Sequence, residues 1–444
     1  MFDIPTKVIH AGVQTMEAYR IRGGNPIQGT FVPQGNKNAA LPMIAATLLT
    51  DQEIVLENVP DIRDVQVMLA LVEHLGATVV EEAPGVWRIR AETLTSTRPD
   101  PALCRQIRAS FLLAGPLLAR EGRATLPRPG GDRIGRRPLD THIYAFEQLG
   151  VEVEILPDRY ILTAPHGLYG ADIFLPEASV TGTENVVMAA TAAQGTTIVR
   201  NAAAEPHVQQ LCRMINAMGG HIEGIGSSTL VIEGGLPLGG ARERIESDYI
   251  EVGSFIGLAA VTGGELRIKD AYPNEHHRMT RIVYERLGIR WEVDGNDIIV
   301  PAGQTLEVQD ALHGAIPEIK DQLWPGFPAD LTSIALVLAT QARGTVLIHE
   351  WMFEGRLFWV DKLISMGARI VLCDPHRAVV VGPSKLYGQE LTSPDIRAGM
   401  ALVIAALCAE GESTIYNIHQ IQRGYSRLDE RLRALGADIE RITV

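Results

Sequence analysis

A unit of roughly 70 residues occurs six times along this chain, and this repetition constrains the fold more than any other feature. Each copy consists of an apolar helix, a short strand, a variable turn, an amphipathic helix and another strand. The amphipathic helix ends in a glycine, which allows the left-handed turn that closes a helix. These glycines therefore have a structural explanation, and they are Gly76, Gly150, Gly219, Gly288, Gly367 and Gly436.

Units of this length are too long for a solenoid repeat and too short for independent domains, so we expect two domains of three units each. Two helices and several short strands per unit indicate the α/β or the α+β class. The second helix, as in 426–435, is amphipathic and should lie outside, whereas the first is apolar almost all round and should be buried. The first helices are predicted at 39–49, 109–119, 185–193, 252–262, 331–340 and 398–409.

The net charge of −13 argues against a nucleic-acid or anionic-membrane partner, because both require basic surfaces. The four cysteines form no CxxC pair, which disfavours a zinc site or a disulfide framework and suits the cytoplasm. The N-terminus has no signal-peptide pattern, and no apolar run is long enough to span a bilayer. We therefore expect a cytoplasmic protein with no metal.

The stretch 127–142 combines three prolines, three glycines and four arginines with Asp132. Proline and glycine exclude regular helix or central strand here, and glycine lets a backbone close over a ligand. The arginines suit phosphate or carboxylate, so Asp132 could be a general acid on a lid over an anionic substrate. The alternative is a solvated surface loop with ordinary ion pairs.

Other cations lie at the start of buried helices or in the turns before second helices. Lys37 precedes the helix 39–49, where it opposes the helix dipole and thus indicates an anionic ligand. Equivalent positions in a repeated fold should converge, which predicts a focused anion site in an acidic protein. The alternative is a set of surface ion pairs. The arginines in question are Arg108, Arg137, Arg356, Arg397 and Arg423.

Asp248, Asp330 and Asp395 each precede an apolar helix. The ordinary explanation for each is a helix N-cap. Asp330 also lies at the tip of the irregular segment 324–330, where a carboxylate could act as a base or hold a hydroxyl group.

Several motifs together resemble the enolpyruvyl transferase family over nearly the whole chain. They are RGGNPIQG at 22–29, GNKNAALP at 35–42, NVPDIRDV at 58–65, IRAS at 107–110, PGGDRIGRRPLDTH at 129–142, ASVTGTEN at 178–185, FEGR at 353–356 and QRGY at 422–425. The resemblance implies an α/β fold of two domains, each with three βαβαββ units. It places the first domain at 38–245 with a lid at 127–137, the second at 16–37 plus 246–444, and an extension at 1–15.

The motifs are most similar to those of members that act on UDP-N-acetylglucosamine. The resemblance implies transfer of the enolpyruvyl group of phosphoenolpyruvate to the sugar 3′-hydroxyl with release of phosphate, the first committed step of peptidoglycan synthesis, with no cofactor. Asp132 stands where most members carry a cysteine that is the general acid and is alkylated by fosfomycin. A carboxylate is a poorer nucleophile, so the resemblance implies an active, fosfomycin-insensitive enzyme.

The resemblance also assigns the site residues. Lys37, Arg137 and Arg423 would hold the phosphate, and Arg356 and Arg397 the carboxylate of phosphoenolpyruvate. Asn38 and Asp330 would hold the sugar, with Asp330 as the base. The implied catalytic set is Asp132, Lys37, Asp330 and Arg397, and the remaining substrate contacts would be Arg108, Pro138, Leu139, Asp140, Thr141, Ser179, Val180 and Met352.

Four positions depart from the family pattern, on the side of the sugar nucleotide: Thr181 and Gly355 replace a usual glycine and asparagine, and Tyr249 and Gln422 replace a usual arginine and aspartate. One alternative is therefore a paralogue with another nucleotide or sugar acceptor. Others are a non-catalytic relative that binds the nucleotide sugar and an RNA-end-processing enzyme built from related units, which the acidic charge disfavours.

Overall fold

The computed structural model describes residues 17–132, 134–271 and 273–444, except for the side chain of residue 274. The predicted extension 1–15 and Arg133 of the predicted lid lie outside this part of the chain. The strands are β1 Glu17–Arg22, β2 Gly29–Phe31, β3 Glu53–Glu57, β4 Thr78–Ala83, β5 Val86–Arg90, β6 Arg123–Pro127, β7 Glu152–Ile155, β8 Arg159–Thr163, β9 Asp172–Phe174, β10 Thr196–Arg200, β11 His221–Glu223, β12 Thr229–Glu233, β13 Ala241–Arg244, β14 Leu266–Ile268, β15 Glu292–Asp294, β16 Asp297–Val300, β17 Glu318–Lys320, β18 Gly344–His349, β19 Arg369–Asp374, β20 Arg377–Gly382, β21 Glu390–Thr392, β22 Glu412–Tyr416 and β23 Asp438–Thr443.

Helices separate these strands. Short 3₁₀ helices lie at Thr47–Leu49, Arg108–Leu113, Asn274–His277, Leu312–Gly314 and Ala329–Leu331. The α-helices are α1 Lys37–Ala46, α2 Arg63–His74, α3 Pro101–Cys104, α4 Ala114–Glu121, α5 Asp140–Gln148, α6 Val180–Ala190, α7 Pro206–Ala217, α8 Tyr249–Thr262, α9 Arg278–Glu285, α10 Thr332–Gln341, α11 Val360–Ser365, α12 Ile396–Cys408, α13 His419–Gln422 and α14 Leu428–Ala434.

In the part of the chain that the structure describes, the strands form six small sheets, one for each predicted unit. Their orders are β13-β3-β5-β4, β6-β8-β7, β11-β12-β10-β9, β15-β16-β14-β2, β17-β18-β20-β19 and β21-β22-β1-β23. Five of them combine one parallel pair with antiparallel pairs, as βαβαββ units require. The second sheet has three strands, and a single hydrogen bond from Thr125 N to Thr97 O at 2.9 Å lies where the fourth would pair. The prediction of a two-domain α/β fold with six units is confirmed.

The six glycines that end the second helices all have positive φ angles, from 81° at Gly288 to 113° at Gly76. A residue with a Cβ atom is strained in this left-handed region, so glycine is the natural choice. The prediction of a structural role for these glycines is confirmed.

The first helix of each unit is buried, as predicted. In α8 every residue from 249 to 260 is buried, and in α12 every residue from 396 to 407. The bounds differ where caps and prolines intervene. Helix α6 begins at Val180 because Ser179 Oγ accepts the Gly182 N–H at 3.2 Å. A 3₁₀ helix precedes α4 because Pro116 has no N–H to donate to Leu112.

The second helix of the last unit is shorter than predicted. Arg427 has a left-handed φ of 43°, so α14 begins only at Leu428 and ends at Ala434. It buries Leu428 and Leu432, together with Asp429, and leaves Glu430 and Arg433 exposed, in keeping with the amphipathic pattern.

The buried apolar side chains form two clusters. One contains residues between 39 and 245, and the other combines 19–31 with 249–439. Accordingly, β13 pairs with β3 of the first cluster, while β1 and β2 pair with β22, β23 and β14 of the second. These pairings support the predicted domain bounds at 38–245 and at 16–37 plus 246–444, which stay a prediction. None of the helices described is long and apolar enough to cross a membrane.

Candidate active site

A cavity of about 340 Å³ is lined by residues of both apolar clusters. Its wall brings together most of the predicted site residues, although they are distant in sequence. The predicted residues on the wall are Lys37, Asn38, Arg108, Asp132, Arg137, Pro138, Ser179, Val180, Asp330, Met352, Arg356, Arg397 and Arg423.

One group on this wall joins two cations and two carboxylates. The Lys37 Nζ atom lies 2.8 Å from Asp64 Oδ2, and Arg423 donates from Nε to Asp64 Oδ1 at 2.9 Å. Arg423 also contacts the Asp132 carboxylate through Nη1. Burial alone would raise the pKa of Asp64, but Lys37 and Arg423 outweigh it and lower that pKa. Asp64 is therefore a buried anion between two buried cations.

A second group surrounds Asp330. Arg356 Nη2 donates to Asp330 Oδ1 at 3.0 Å, and Arg397 Nε donates to Oδ2 at 3.1 Å. Burial would raise the pKa of Asp330, but the two guanidinium groups hold it well below its usual range. Arg397 is also held by a hydrogen bond from Nη1 to the Tyr425 hydroxyl at 3.2 Å. Asp330 is thus an ionised carboxylate in a fixed orientation.

The lid segment and the helix before it supply further arginines. Arg108 Nη2 donates to the carbonyl oxygens of Arg137 and, at 3.4 Å, of Pro138. Burial, together with the charge of Arg137, lowers the pKa of Arg108 to about 10. Arg108 therefore fixes the backbone that carries Arg137 and Pro138.

The lid contacts the segment 353–356 from the other apolar cluster. Gly355 N donates to Ile134 O at 2.9 Å, and Arg136 N donates to Glu354 Oε1 at 3.3 Å. A Cβ atom on Gly355 would lie 2.9 Å from the carbonyl carbon of Ile134, closer than side chains approach backbone. Glycine at 355 therefore lets the lid lie against this segment.

Not every predicted contact reaches the cavity. Leu139, Asp140 and Thr141 follow Pro138 at the start of α5 but do not line it. Leu139 and Thr141 are buried, and Asp140 is exposed. Their roles stay predictions.

Of the three aspartates that precede apolar helices, Asp248 and Asp395 cap their helices and Asp330 does not. Asp248 accepts from the N–H of Ile250 at 2.9 Å, and Asp395 accepts from that of Arg397 at 2.8 Å, so both are N-caps as expected. The capping explanation is wrong for Asp330, which makes no cap and pairs with arginines.

The alternative of surface ion pairs for the predicted arginines is also wrong for three of them. Arg356, Arg397 and Arg423 are 3, 5 and 8% exposed. A charge so deeply buried requires partners, and here the partners are carboxylates on the cavity wall.

Two of the positions that depart from the family pattern, Thr181 and Tyr249, lie on the cavity wall. Thr181 Oγ1 lies 3.0 Å from His142 Nε2, whose Nδ1 lies 2.9 Å from Asn185 Nδ2. Burial lowers the pKa of His142 to about 3, so it is a neutral hydrogen-bonding group. Tyr249 lines the cavity, with its ring centroid 6.0 Å from that of Trp324.

The sequence analysis missed two functional candidates. Asp64 is on the inward face of α2, four residues before the buried Met68, and a carboxylate on an apolar helix face was the available signal. Glu350 is fully buried behind Arg356, with Oε2 at 3.7 Å from Arg356 Nε, and no local pattern marks it.

The cavity therefore presents cations for an anion beside the carboxylates of Asp132 and Asp330, which lie in different surroundings. Fixed guanidinium and ammonium groups bind phosphate or carboxylate, and they stabilise negative charge that develops in a transition state. Carboxyl groups held apart can give and take protons. The arrangement suits acid–base chemistry on an anionic substrate.

Comparison with known proteins agrees with this chemistry. The model of the family described as EPSP synthase (3-phosphoshikimate 1-carboxyvinyltransferase) matches residues 21–432. Relatives named UDP-N-acetylglucosamine 1-carboxyvinyltransferase from Treponema denticola and Bradyrhizobium diazoefficiens are each 56% identical to this chain. Both alignments cover 96% of the chain, with 99 and 98% of the respective relative.

Solved structures share the fold at lower identity. The enolpyruvyl transferase NikO from Streptomyces tendae aligns with a TM-score of 0.86 and 23% identity, covering 97% of this chain and all of that one. EPSP synthase from Acinetobacter baumannii aligns with a TM-score of 0.74 and 19% identity, over 96% of this chain and all of that one. With the family model and the close relatives, these matches establish that the chain belongs to the enolpyruvyl transferase family.

Proposed function

We propose that this enzyme transfers the enolpyruvyl group of phosphoenolpyruvate to the 3′-hydroxyl of UDP-N-acetylglucosamine and releases phosphate. The observation that carries the proposal is the cavity in which Asp132 and Asp330 lie beside buried Lys37, Arg397 and Arg423. Relatives at 56% identity over nearly the full chain bear the name of this activity. The reaction would be the first committed step of peptidoglycan synthesis.

The first half of the reaction is an addition. The sugar 3′-hydroxyl attacks C2 of phosphoenolpyruvate and loses its proton to Asp330, while Asp132 gives a proton to C3. The two arginine partners of Asp330 fix its carboxylate and keep it ionised, so it carries no proton and can accept one. Arg356 and Arg397, which line the same cavity, would hold the substrate carboxylate at the same time.

The second half is an elimination. The C3 proton returns to an enzyme base, phosphate leaves from C2, and the enolpyruvyl ether remains. Lys37, Arg137 and Arg423 would stabilise the departing phosphate. A phosphate on Arg423 would compete with Asp132 for Nη1 and thereby free that carboxyl to carry a proton. Phosphate binding and general acid catalysis would then be linked through Arg423.

The acceptor would lie along the wall formed by Asn38, Arg108, Pro138, Ser179 and Val180. Asn38 would hold the sugar, and the others with Met352 would contact the rest of the nucleotide sugar. Leu139, Asp140 and Thr141 would support this wall from α5 without lining the cavity.

Fosfomycin insensitivity is part of the proposal. All four cysteines belong to the described residues, and none lines the cavity. The residue on the lid is Asp132, and a carboxylate attacks an epoxide far more slowly than a thiolate does. The four free cysteines also suit a reducing compartment, so we place the enzyme in the cytoplasm.

The test is identification of the product. Incubation with phosphoenolpyruvate and UDP-N-acetylglucosamine should yield a nucleotide sugar with an enolpyruvyl ether at the 3′-oxygen, detectable by mass spectrometry and NMR. UDP-glucose and UDP-N-acetylgalactosamine serve as competing acceptors. Product from another acceptor, and none from UDP-N-acetylglucosamine, would favour the alternative of a paralogue.

A further inference from the structure

The Asp64 carboxylate contacts two cations of the proposed phosphate site at once. Its Oδ2 lies 2.8 Å from Lys37 Nζ and accepts from Arg423 Nη2 at 3.2 Å, and its Oδ1 accepts from Arg423 Nε at 2.9 Å. The Asp64 side chain is only 5% exposed. Both of its oxygens are therefore in contact with the two cations.

We propose that Asp64 is a positioning residue that fixes Lys37 and Arg423 in the geometry needed to bind the phosphate group. The inference rests on the proposed function, which makes phosphate the ligand of these two cations. Asp64 would act through these two partners, because both of its carboxylate oxygens contact them.

The contact sets the orientation of the Arg423 guanidinium. Asp64 takes the edge formed by Nε and Nη2, which is a two-point contact that fixes the plane of the group. The remaining Nη1 is then directed to Gln420 Oε1 at 2.9 Å and to the carboxylate of Asp132. Asp64 therefore determines which edge of Arg423 is presented to the lid and to a bound phosphate.

The contact also joins three segments that are separate in the sequence. Lys37 is the first residue of α1 and Asp64 lies in the first turn of α2, whereas Arg423 follows α13, 359 residues beyond Asp64. Two cations brought this close repel each other, and the repulsion is strong in a buried site. The ionised carboxylate between them offsets this repulsion and holds both in place.

The variant Asp64→Asn tests this role because it keeps the shape of the side chain and removes its charge. The amide NH₂ would also be a donor facing donors, so at least one of the two cations should shift. We expect the inhibition constant of inorganic phosphate, measured against phosphoenolpyruvate, to rise by about 10- to 100-fold. The dissociation constant of UDP-N-acetylglucosamine, measured by calorimetry, should change by less than about twofold.

The matched control is Asp61→Asn. Asp61 is exposed near the start of the same helix, and its side chain accepts from Gln66 Nε2 at 2.7 Å rather than from a cation of the cavity. This variant loses the same charge, and it should leave both constants unchanged. A second variant, Asp64→Glu, keeps the charge and displaces it by one methylene, and it should lie between wild type and Asp64→Asn in phosphate inhibition.

Unchanged or tighter phosphate inhibition in Asp64→Asn would overturn the proposal, as would equal loss of affinity for phosphate and for UDP-N-acetylglucosamine. If Asp64→Asn does not fold, Asp64→Glu provides the test. In that variant, the affinity for phosphate must fall more than the affinity for the nucleotide sugar. The proposed function fails separately, through absence of enolpyruvyl product with the wild-type enzyme. Calorimetry of phosphate with wild type and variant tests Asp64 even in that case.

Discussion

Arg397 donates from Nε to Asp330 Oδ2 at 3.1 Å, and Arg356 donates to the other oxygen of the same carboxylate at 3.0 Å. This contact places the proposed base against the two arginines that would hold the carboxylate of phosphoenolpyruvate. Base and substrate would therefore share the same pair of guanidinium groups. In the proposed reaction, this arrangement would help to align the sugar hydroxyl with C2.

Replacement of the acid on the lid should affect catalysis far more than folding. We expect Asp132→Ala to lower kcat by about 100-fold or more, because general acid catalysis contributes on that order. Asp132→Cys should recover much of the activity and should also become sensitive to fosfomycin, with the inhibitor bound covalently to the protein. Inactivation and covalent labelling of the wild type by fosfomycin would contradict the account.

The Asp330 carboxylate should contribute to stability in a pH-dependent way. Since its pKa is lowered in the folded protein, this contribution is complete above the ordinary value of about 3.9 and is lost as the pH falls through the folded value. Asp330→Asn should therefore be less stable than wild type by about 3 kcal/mol at pH 7, and the difference should shrink below about pH 4. Urea unfolding at several pH values measures this difference, and exposed Asp310→Asn is the control.

The buried Glu350 should make the folded protein less stable as the pH rises, which is the opposite of the effect of Asp330. Burial, only partly offset by Arg356, raises its pKa from 4.5 to about 9, so it is protonated in the folded state at neutral pH. Its ionisation in the unfolded chain then favours unfolding as the pH rises from about 4.3 towards 9. Glu350→Gln, which cannot ionise, should gain stability over wild type by up to about 1.4 kcal/mol for each pH unit in this window.

Urea unfolding of Glu350→Gln and wild type at pH 5 and pH 8 checks this expectation. Exposed Glu390→Gln should show no such trend. A wild type that is the more stable of the two at pH 8 would show that Glu350 is ionised and paired with Arg356.

The contact between lid and segment 353–356 should depend on the absence of a side chain at 355. In Gly355→Ala the new methyl group would meet the backbone of Ile134, so the lid would dock less well. We expect kcat/KM to fall by about tenfold, with the unfolding midpoint unchanged. Gly239→Ala is the matched control, since its Cβ atom would meet nothing closer than 3.6 Å. Equal kinetics of the two variants would exclude a role for this contact.

Local patterns predicted the fold because each unit carries its own signals. The glycine after each second helix and the apolar first helix are readable within a few residues, and both are found as predicted. The bounds of α4 and α6 were less accurate because Pro116 and Ser179 shift the helix starts. Such effects depend on single residues rather than on periodicity.

Only part of the candidate site could be predicted from the sequence, because the roles of its residues depend on tertiary contacts. Asp330 and Asp395 precede apolar helices in the same way, yet one binds arginines and the other caps its helix. Only the tertiary arrangement separates them, because Arg356 and Arg397 reach Asp330 from other segments. The carboxylate of Asp64 on an apolar helix face is a local signal, but it does not point to the partner Arg423, which lies 359 residues away.

The most direct test of the account is phosphate release from phosphoenolpyruvate, measured with and without UDP-N-acetylglucosamine. We expect release that requires the nucleotide sugar and that falls by about 100-fold or more in Asp132→Ala. Release without the nucleotide sugar, or equal release by wild type and Asp132→Ala, would contradict it.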